Sequence, residues 1–268
     1  GSIRLRTTYD QLTVRRIAGN NAHLISLLNS GPLRTSGRTR HQLLVRNELL
    51  LHPTTTSFRL LGELCRWTAR GADRVVAPSE YMTRLISKRW GVDAETIRHP
   101  LPPPFLSAGQ RNPRRTNSIF VPTSDQPHKN LSLVGETSRT LQKLGLPHEF
   151  RATVAEPEES WSGLPVTAVG RLDQADVVDE YLRADCVFLP SRHESFSYPL
   201  AEAAALCVPV AAAEIPVNLE TGSVSSFFPP GDPAAAAKAI RIALNDTDAR
   251  YDRTTSMSPA LYLETLLS

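Results

Sequence analysis

Short, near-continuously apolar runs alternate with amphipathic stretches along most of the chain. After residue 116 the runs at 118–121, 150–154, 166–169, 186–189, 208–212 and 225–228 read as strands. The stretches at 131–144, 175–183, 199–206 and 234–244 carry helical periodicity. Strands that are apolar on both faces, alternating with helices, predict a parallel sheet covered on both sides. Before residue 100 the pattern is sparser. Residues 74–77 form a short buried strand ended by Pro78-Ser79, residues 80–90 a helix closed by Gly91, and residues 96–99 a further strand. Residues 41–70 show helical spacing at Leu43, Leu44, Leu60, Leu61 and Leu64, and His52-Pro53 divides them into two predicted helices.

Between the two regions lie Pro100, Pro102, Pro103, Pro104 and Pro113. Proline at that density reads as a semi-rigid linker rather than a helix interior or a central strand. The expected organisation is α/β: a reduced N-terminal Rossmann-like domain over 1–107, a linker over 108–116, and a C-terminal Rossmann-like domain over 117–248. A last helix over 249–268 would pack back towards the N-terminal domain. Charge changes sign at the same place. Residues 1–115 hold 19 Lys and Arg against 7 Asp and Glu, whereas residues 116–268 hold 11 against 20. Such asymmetry points the N-terminal half towards lipid, a phosphorylated acceptor or nucleic acid, with a plain solvated face as the alternative. No aromatics interleave with the basic residues and no reader motif is present, so nucleic acid is not the expected partner.

A chain that is 41% hydrophobic and 21% charged is neither a disordered tail nor a fibrous repeat. No apolar run reaches the ~18 residues that a membrane span needs. Signal-peptide layout is missing, and Gly1-Ser2 reads as a cloning remnant. Cys65, Cys186 and Cys207 stand far apart without zinc-site spacing, as reduced thiols of a cytoplasmic protein would.

Chemical content gathers in SRHESFSYPLAE at 191–202, between the strand at 186–189 and the helix at 199–206. Pro199 suits the first helical position. The loop before it would aim backbone amides and the positive helix end out of the carboxyl edge of the sheet, a ready diphosphate site. Glu194 in that loop and Glu202 one turn into the helix are suited to accept hydrogen bonds from sugar hydroxyls, so a nucleotide-sugar would meet both needs. Taken alone, the pair also fits two exposed acids at a helix start, where the dipole favours them.

The stretch resembles the E-x7-E signature of the retaining family 4 glycosyltransferases (glycosyl transferases group 1). That family has the GT-B fold of two facing Rossmann-like domains. Further segments resemble the family's motifs in the family's order. They are ADRVVAPSE at 72–80, HKNL at 128–131, RADCVFLPS at 183–191, CVPVAA followed by Ile215-Pro216 at 207–216, and PPGDP at 229–233. The resemblance implies that Glu194 holds the transferred sugar and Glu202 the ribose hydroxyls. It places the amides of Phe196, Ser197 and Tyr198 near the sugar and distal phosphate, with Arg171 and Leu172 near the base. Lys129 would neutralise the diphosphate as the glycosidic bond breaks. His128, where the family has arginine, would donate weakly.

This sequence departs from the family at several positions. A second phosphate-binding arginine would fall at Thr123 or Ser124, so Thr123 lines the phosphate site without its charge. Ser197 and Cys207 replace usual glycines and would tighten the sugar pocket. In the short N-terminal domain, His23 is the best match to the family's histidine near the reacting sugar.

The resemblance implies a cytoplasmic hexosyltransferase that retains configuration and uses a UDP- or GDP-linked donor. No obligatory metal or other cofactor is implied, and the leaving phosphate would take the acceptor's proton. An anionic or lipid-linked acceptor, a membrane surface at the inner face of the membrane, or a partner chain would engage the basic half. Two rivals remain: a non-catalytic nucleotide-sugar-binding module that needs a partner chain, and a nucleotide-sugar epimerase or hydrolase.

Overall fold

A computed structural model describes residues 22–32, 39–108, 116–220, 223–246 and 258–268. The chain divides into two compact units, residues 1–99 and 100–268. Residues 109–115 of the expected linker and residues 249–257 of the expected last helix lie outside the described residues.

The first unit is built on four parallel strands in sequence order: β1 (His23–Ser26), β2 (Arg40–Leu44), β3 (Arg74–Ala77) and β4 (Glu95–Thr96). Helices α1 (Thr56–Gly71) and α2 (Glu80–Trp90) connect β2 to β3 and β3 to β4. Each starts where a side chain takes up an otherwise orphaned amide. Thr55 Oγ1 accepts from the Phe58 N–H at 3.2 Å, and Ser79 Oγ from the Met82 N–H at 3.2 Å. Gly91 ends α2 in the left-handed conformation, with φ 65°. Leu43 and Val75 of the sheet pack with Cys65 and Ala69 of α1 and with Met82 and Ile86 of α2.

The first of the two helices expected within 41–70 is instead the strand β2. Its residues Gln42–Leu44 pair in register with Arg74–Val76, and residues 41–44 are all buried. A short run buried on both faces has no periodicity to tell strand from helix, so its sheet neighbours decide. A 3-10 turn at Glu48–Leu50 then leads to α1. Gly62 of α1 lies so close to that turn that a Cβ would stand 2.4 Å from the Leu50 carbonyl oxygen.

The second unit holds six parallel strands: β5 (Ser118–Val121), β6 (Glu149–Ala152), β7 (Val166–Ala168), β8 (Cys186–Leu189), β9 (Val210–Ala213) and β10 (Ser226–Phe228). Their order is β10-β9-β8-β5-β6-β7. The chain starts in the middle at β5, winds outwards to β7, then returns to β8 and winds the other way. This is the doubly wound order, and its crevice opens between β5 and β8 at their carboxyl ends. Helices α3 (Pro103–Ser107), α4 (Ser132–Lys143), α5 (Gln174–Arg183), α6 (Tyr198–Ala205), α7 (Pro216–Leu219), α8 (Pro233–Leu244) and α9 (Pro259–Leu267) complete the unit.

The proline run is not only a spacer. Pro103 and Pro104 start α3, where their missing N–H groups cost nothing, and Leu101 and Phe105 are buried in the core of this unit. Asp232 of the PPGDP turn is a helix cap: its carboxylate accepts from the Ala234 and Ala235 N–H groups, both at 2.9 Å. Cys207 also has a local explanation. It follows α6 with φ 55°, and its N–H donates to the Ala204 carbonyl at 3.2 Å. A glycine there would serve the helix end. That end lies about 12 Å, at 1.5 Å per residue, from the start of α6 that meets the crevice, so Cys207 does not tighten a sugar pocket.

Candidate functional site

Two loops meet at the crevice. The first leaves β5, forms a 3-10 turn at Pro127–Lys129 and enters α4; the second leaves β8 and enters α6. Their backbones are joined: the Arg192 N–H donates to the His128 carbonyl at 2.8 Å, and Asn130 Nδ2 donates to the Pro190 carbonyl at 3.3 Å. Asn130 closes the turn in the left-handed conformation, with φ 55°, which asparagine tolerates better than most residues. The strapped turn brings Lys129 Nζ to 2.6 Å from Glu194 Oε1, with both side chains largely covered.

Beside this pair lies a cavity of about 310 Å³. Thr123, Ser124, Lys129, Thr153, Arg171, Tyr198 and Glu202 supply its polar lining, and Pro122, Leu172, Val177 and Pro199 its apolar wall. Thr153 pins the floor, its hydroxyl accepting from the Thr123 N–H at 2.7 Å and donating to the Thr123 carbonyl at 2.8 Å. The Thr123 hydroxyl itself is buried without a partner. Two cations and one carboxylate face the space, together with hydroxyls and a strip of apolar wall. That combination suits an anionic ligand with hydroxyls and a flat ring.

Glu202 is the most perturbed group in the cavity. Burial pushes its carboxyl up to about 7, although the Tyr181 hydroxyl and the Lys129 charge both favour the ionised form. Tyr181 O–H lies 2.7 Å from Glu202 Oε2, and burial drives the phenol well above its ordinary range.

Of the residues expected from sequence, the fold brings Thr123, Lys129, Arg171, Leu172, Tyr198 and Glu202 to one cavity, with Glu194 joined to it through Lys129. His128, Phe196 and Ser197 do not line it. α6 starts one residue earlier than expected, at Tyr198, and the Tyr198 N–H is already given to the Phe196 carbonyl at 3.0 Å. The Tyr198 amide is therefore not available as one of the three expected donors. No side chain caps α6, in contrast to α1, α2 and α5.

His23 is exposed at the amino end of β1, roughly 10 Å of strand from the carboxyl edge at 3.3 Å per residue. That position argues against the catalytic role expected for it. The carboxyl side of the first unit instead holds His99, buried and lowered to about 4 by burial and by the nearby Arg46. Sequence reading also missed Tyr181 and Thr153, which carried no motif. Among the described residues no cluster of three or more His, Cys, Asp or Glu side chains could hold a metal ion, and no helix is long and apolar enough to cross a membrane.

Residues 164–256 match the family model of the glycosyl transferases group 1. Over that segment, about a third of its length, the chain is similar to the group 1 glycosyltransferases. The segment contains Arg171, Tyr181, Glu194 and Glu202, and leaves Thr123 and Lys129 outside its bounds. No curated protein matches the chain significantly in sequence. The solved structures similar to it include sucrose-phosphate synthase from Thermosynechococcus elongatus, 16% identical, with 87% of this chain and 67% of that chain covered and a TM-score of 0.68. Anabaena HepE in complex with UDP and glucose is 17% identical over 86% of this chain and 72% of that one, with a TM-score of 0.64. TarM is 12% identical over 92% of this chain, with a TM-score of 0.65, and this chain spans 54% of TarM, about half its length. The chain thus has the GT-B fold of these proteins.

Proposed function

We propose that this chain transfers a hexose from a UDP- or GDP-linked sugar to an acceptor, with retention of configuration. The observation that carries the reading is the cavity at the β5/β8 crevice, where Lys129, Arg171 and Glu202 face one space. The family match supports a nucleotide-sugar donor, and the bound UDP and glucose of the Anabaena relative support UDP as the nucleotide. Glu202 accepts from the ribose hydroxyls, Lys129 meets the diphosphate, and Arg171 and Leu172 flank the base. Glu194 holds the sugar, with the amides of Phe196 and Ser197 beside it. As the glycosidic bond breaks, charge grows on the diphosphate, where Lys129 stabilises it. The leaving phosphate takes the acceptor's proton, so no separate base is required. Lys129 and the start of α6 supply the positive charge, and no metal enters this scheme.

Calorimetric titration with UDP, GDP, ADP and TDP tests the donor site, followed by an assay of nucleotide release from the matching sugar nucleotide with and without acceptors. One diphosphate binding, with release that depends on acceptor, is the expected result. Binding without release would favour the non-catalytic module that needs a partner chain. Release without acceptor would favour a hydrolase, and conversion of the sugar an epimerase.

For the acceptor side, a lipid surface at the inner face of the membrane is the favoured partner, and the protein works in the cytoplasm. α1 turns Leu60, 70% exposed, and Trp67, 61% exposed, outwards beside the exposed Arg59 and Arg70. Leu60 and Trp67, with Glu63 between them paired to Arg66 at 3.3 Å, and the arginines beside them complement an anionic bilayer, where each arginine near the surface contributes about 1 kcal/mol. The other two tryptophans, Trp90 and Trp161, are buried, so a change in fluorescence reports on Trp67. Phosphatidylglycerol vesicles should shift the emission to the blue, phosphatidylcholine vesicles should not, and Trp67→Ser should weaken flotation about tenfold or more. Equal behaviour with both lipids would reject the membrane face.

A further inference from the structure

Tyr181 is fully buried on α5, two residues before the helix ends. Its ring packs edge-to-face on Phe105, at 5.8 Å between centroids, and on Phe120, at 4.9 Å. α5 is itself tied to the sheet, since Arg151 Nε and Nη2 donate to the two Glu180 carboxylate oxygens at 2.7 and 2.8 Å. Ring and helix are therefore held by elements other than the two ligand loops. The Tyr181 hydroxyl has two neighbours, Glu202 Oε2 at 2.7 Å and the Pro199 carbonyl at 3.2 Å. A phenol has one proton to donate. Opposite an ionised carboxylate it donates to Oε2; opposite a protonated one it accepts that proton's hydrogen bond and donates to the Pro199 carbonyl. A core tyrosine that needed only satisfaction would have it from Pro199 alone.

We infer that Tyr181 is a positioning residue: by holding Oε2 it favours the ionised form of Glu202 and turns it so that Oε1 accepts the hydroxyls of a nucleoside diphosphate's ribose. The inference rests on the proposed donor site and adds a residue outside the two loops that set its working pH. The titratable groups around Glu202 are Tyr181 from α5, Lys129 from the turn after β5, Arg171 from the loop after β7 and Tyr198 from α6, the last three lining the same cavity, with Glu194 in contact with Lys129. Tyr181 is the neutral group that hydrogen-bonds Glu202 directly, at 2.7 Å. Removing its hydroxyl raises the pH at which Glu202 ionises.

The test is Tyr181→Phe, which keeps the ring packing. The affinity of wild type and variant for the diphosphate that wild type prefers is measured by calorimetry from pH 6 to pH 9, with inorganic pyrophosphate as a probe that has no ribose. At pH 7 the variant should bind the nucleotide about tenfold more weakly. By pH 9 the gap should close to within about threefold, because Glu202 is then ionised in both proteins. Pyrophosphate should bind both proteins alike. In the unliganded proteins, the Glu202 carboxyl carbon, followed by NMR, should titrate at higher pH in the variant. That readout keeps the inference testable even if the variant binds nucleotide too weakly for calorimetry. Identical pH profiles, an unchanged carboxyl titration, or a loss that is constant with pH and shared with pyrophosphate would overturn the role of Tyr181. If wild type binds neither nucleotide nor pyrophosphate, the donor-site reading falls and takes this inference with it.

Discussion

Lys129→Ala should weaken binding of the preferred nucleoside diphosphate about a hundredfold or more, whereas Glu194→Gln should leave it unchanged or strengthen it. In the unliganded protein Lys129 and Glu194 share a contact of 2.6 Å, with side chains only 16% and 12% exposed. Removing the lysine does two things to an incoming diphosphate. It deletes the cation, and it leaves the Glu194 carboxylate uncompensated at the mouth of the cavity, where desolvation makes repulsion strong. Removing the carboxylate has the opposite effect on the anion, because Lys129 loses its competitor. Turnover should separate the pair further. Lys129→Ala loses stabilisation of the leaving diphosphate, and Glu194→Gln loses its grip on the sugar, so both should fall about 10²–10³-fold in turnover while only the first loses nucleotide affinity. Titration calorimetry with steady-state kinetics checks both. Equal loss of affinity in the two variants would mean that the pair acts as a structural unit and not as separate phosphate and sugar contacts.

The second large effect is on stability, and it runs against function. Glu202 is raised to about 7 in the folded chain, against roughly 4.3 for an unperturbed glutamate. Between those values the folded state keeps a proton that the unfolded state has released. Stability that is fully present below about pH 4.3 is therefore lost as pH rises to 7 and beyond. At 1.36 kcal/mol per pH unit the loss has a ceiling of about 4 kcal/mol. Glu202→Gln never ionises and escapes it. Its melting temperature should exceed that of wild type by several degrees at pH 8, and the difference should vanish near pH 4.5. The same substitution removes the ionised acceptor for the ribose, so added nucleotide should stabilise wild type much more than the variant. Thermal melts across pH, with and without nucleotide, read both effects. A constant difference between the two proteins across the range would show that Glu202 is not the titrating group.

How far the site could be read in advance follows from the distance over which each part is determined. Glu194 and Glu202 lie on one strand–loop–helix unit, so their common neighbourhood follows from local order. Lys129 lies 65 residues before Glu194, yet the alternating pattern already implied that both follow a strand at the same sheet edge. The Tyr181–Glu202 contact had no such signal. It joins α5 to α6 across 21 residues and depends on how α5 packs over β5, where Phe120 meets the tyrosine ring. The place of His23 had no local signal either. Residue type suggested chemistry, but its place at the amino end of β1 keeps it from the carboxyl edge.

The sequence alone determined the parallel α/β architecture, the two-part organisation and the cluster at 191–202. Those follow from apolar periodicity, proline placement and helix-start chemistry, which act over a few residues. Only the tertiary structure decided that 40–44 is a strand, that the proline run starts a helix anchored in the second unit, and that Cys207 serves a helix end. It alone also brought Lys129 against Glu194 and Tyr181 against Glu202. These outcomes turn on which strands pair and which side chains meet across the β5/β8 crevice. Burial then sets their charge states, because the cost of an ion depends on what surrounds it in space.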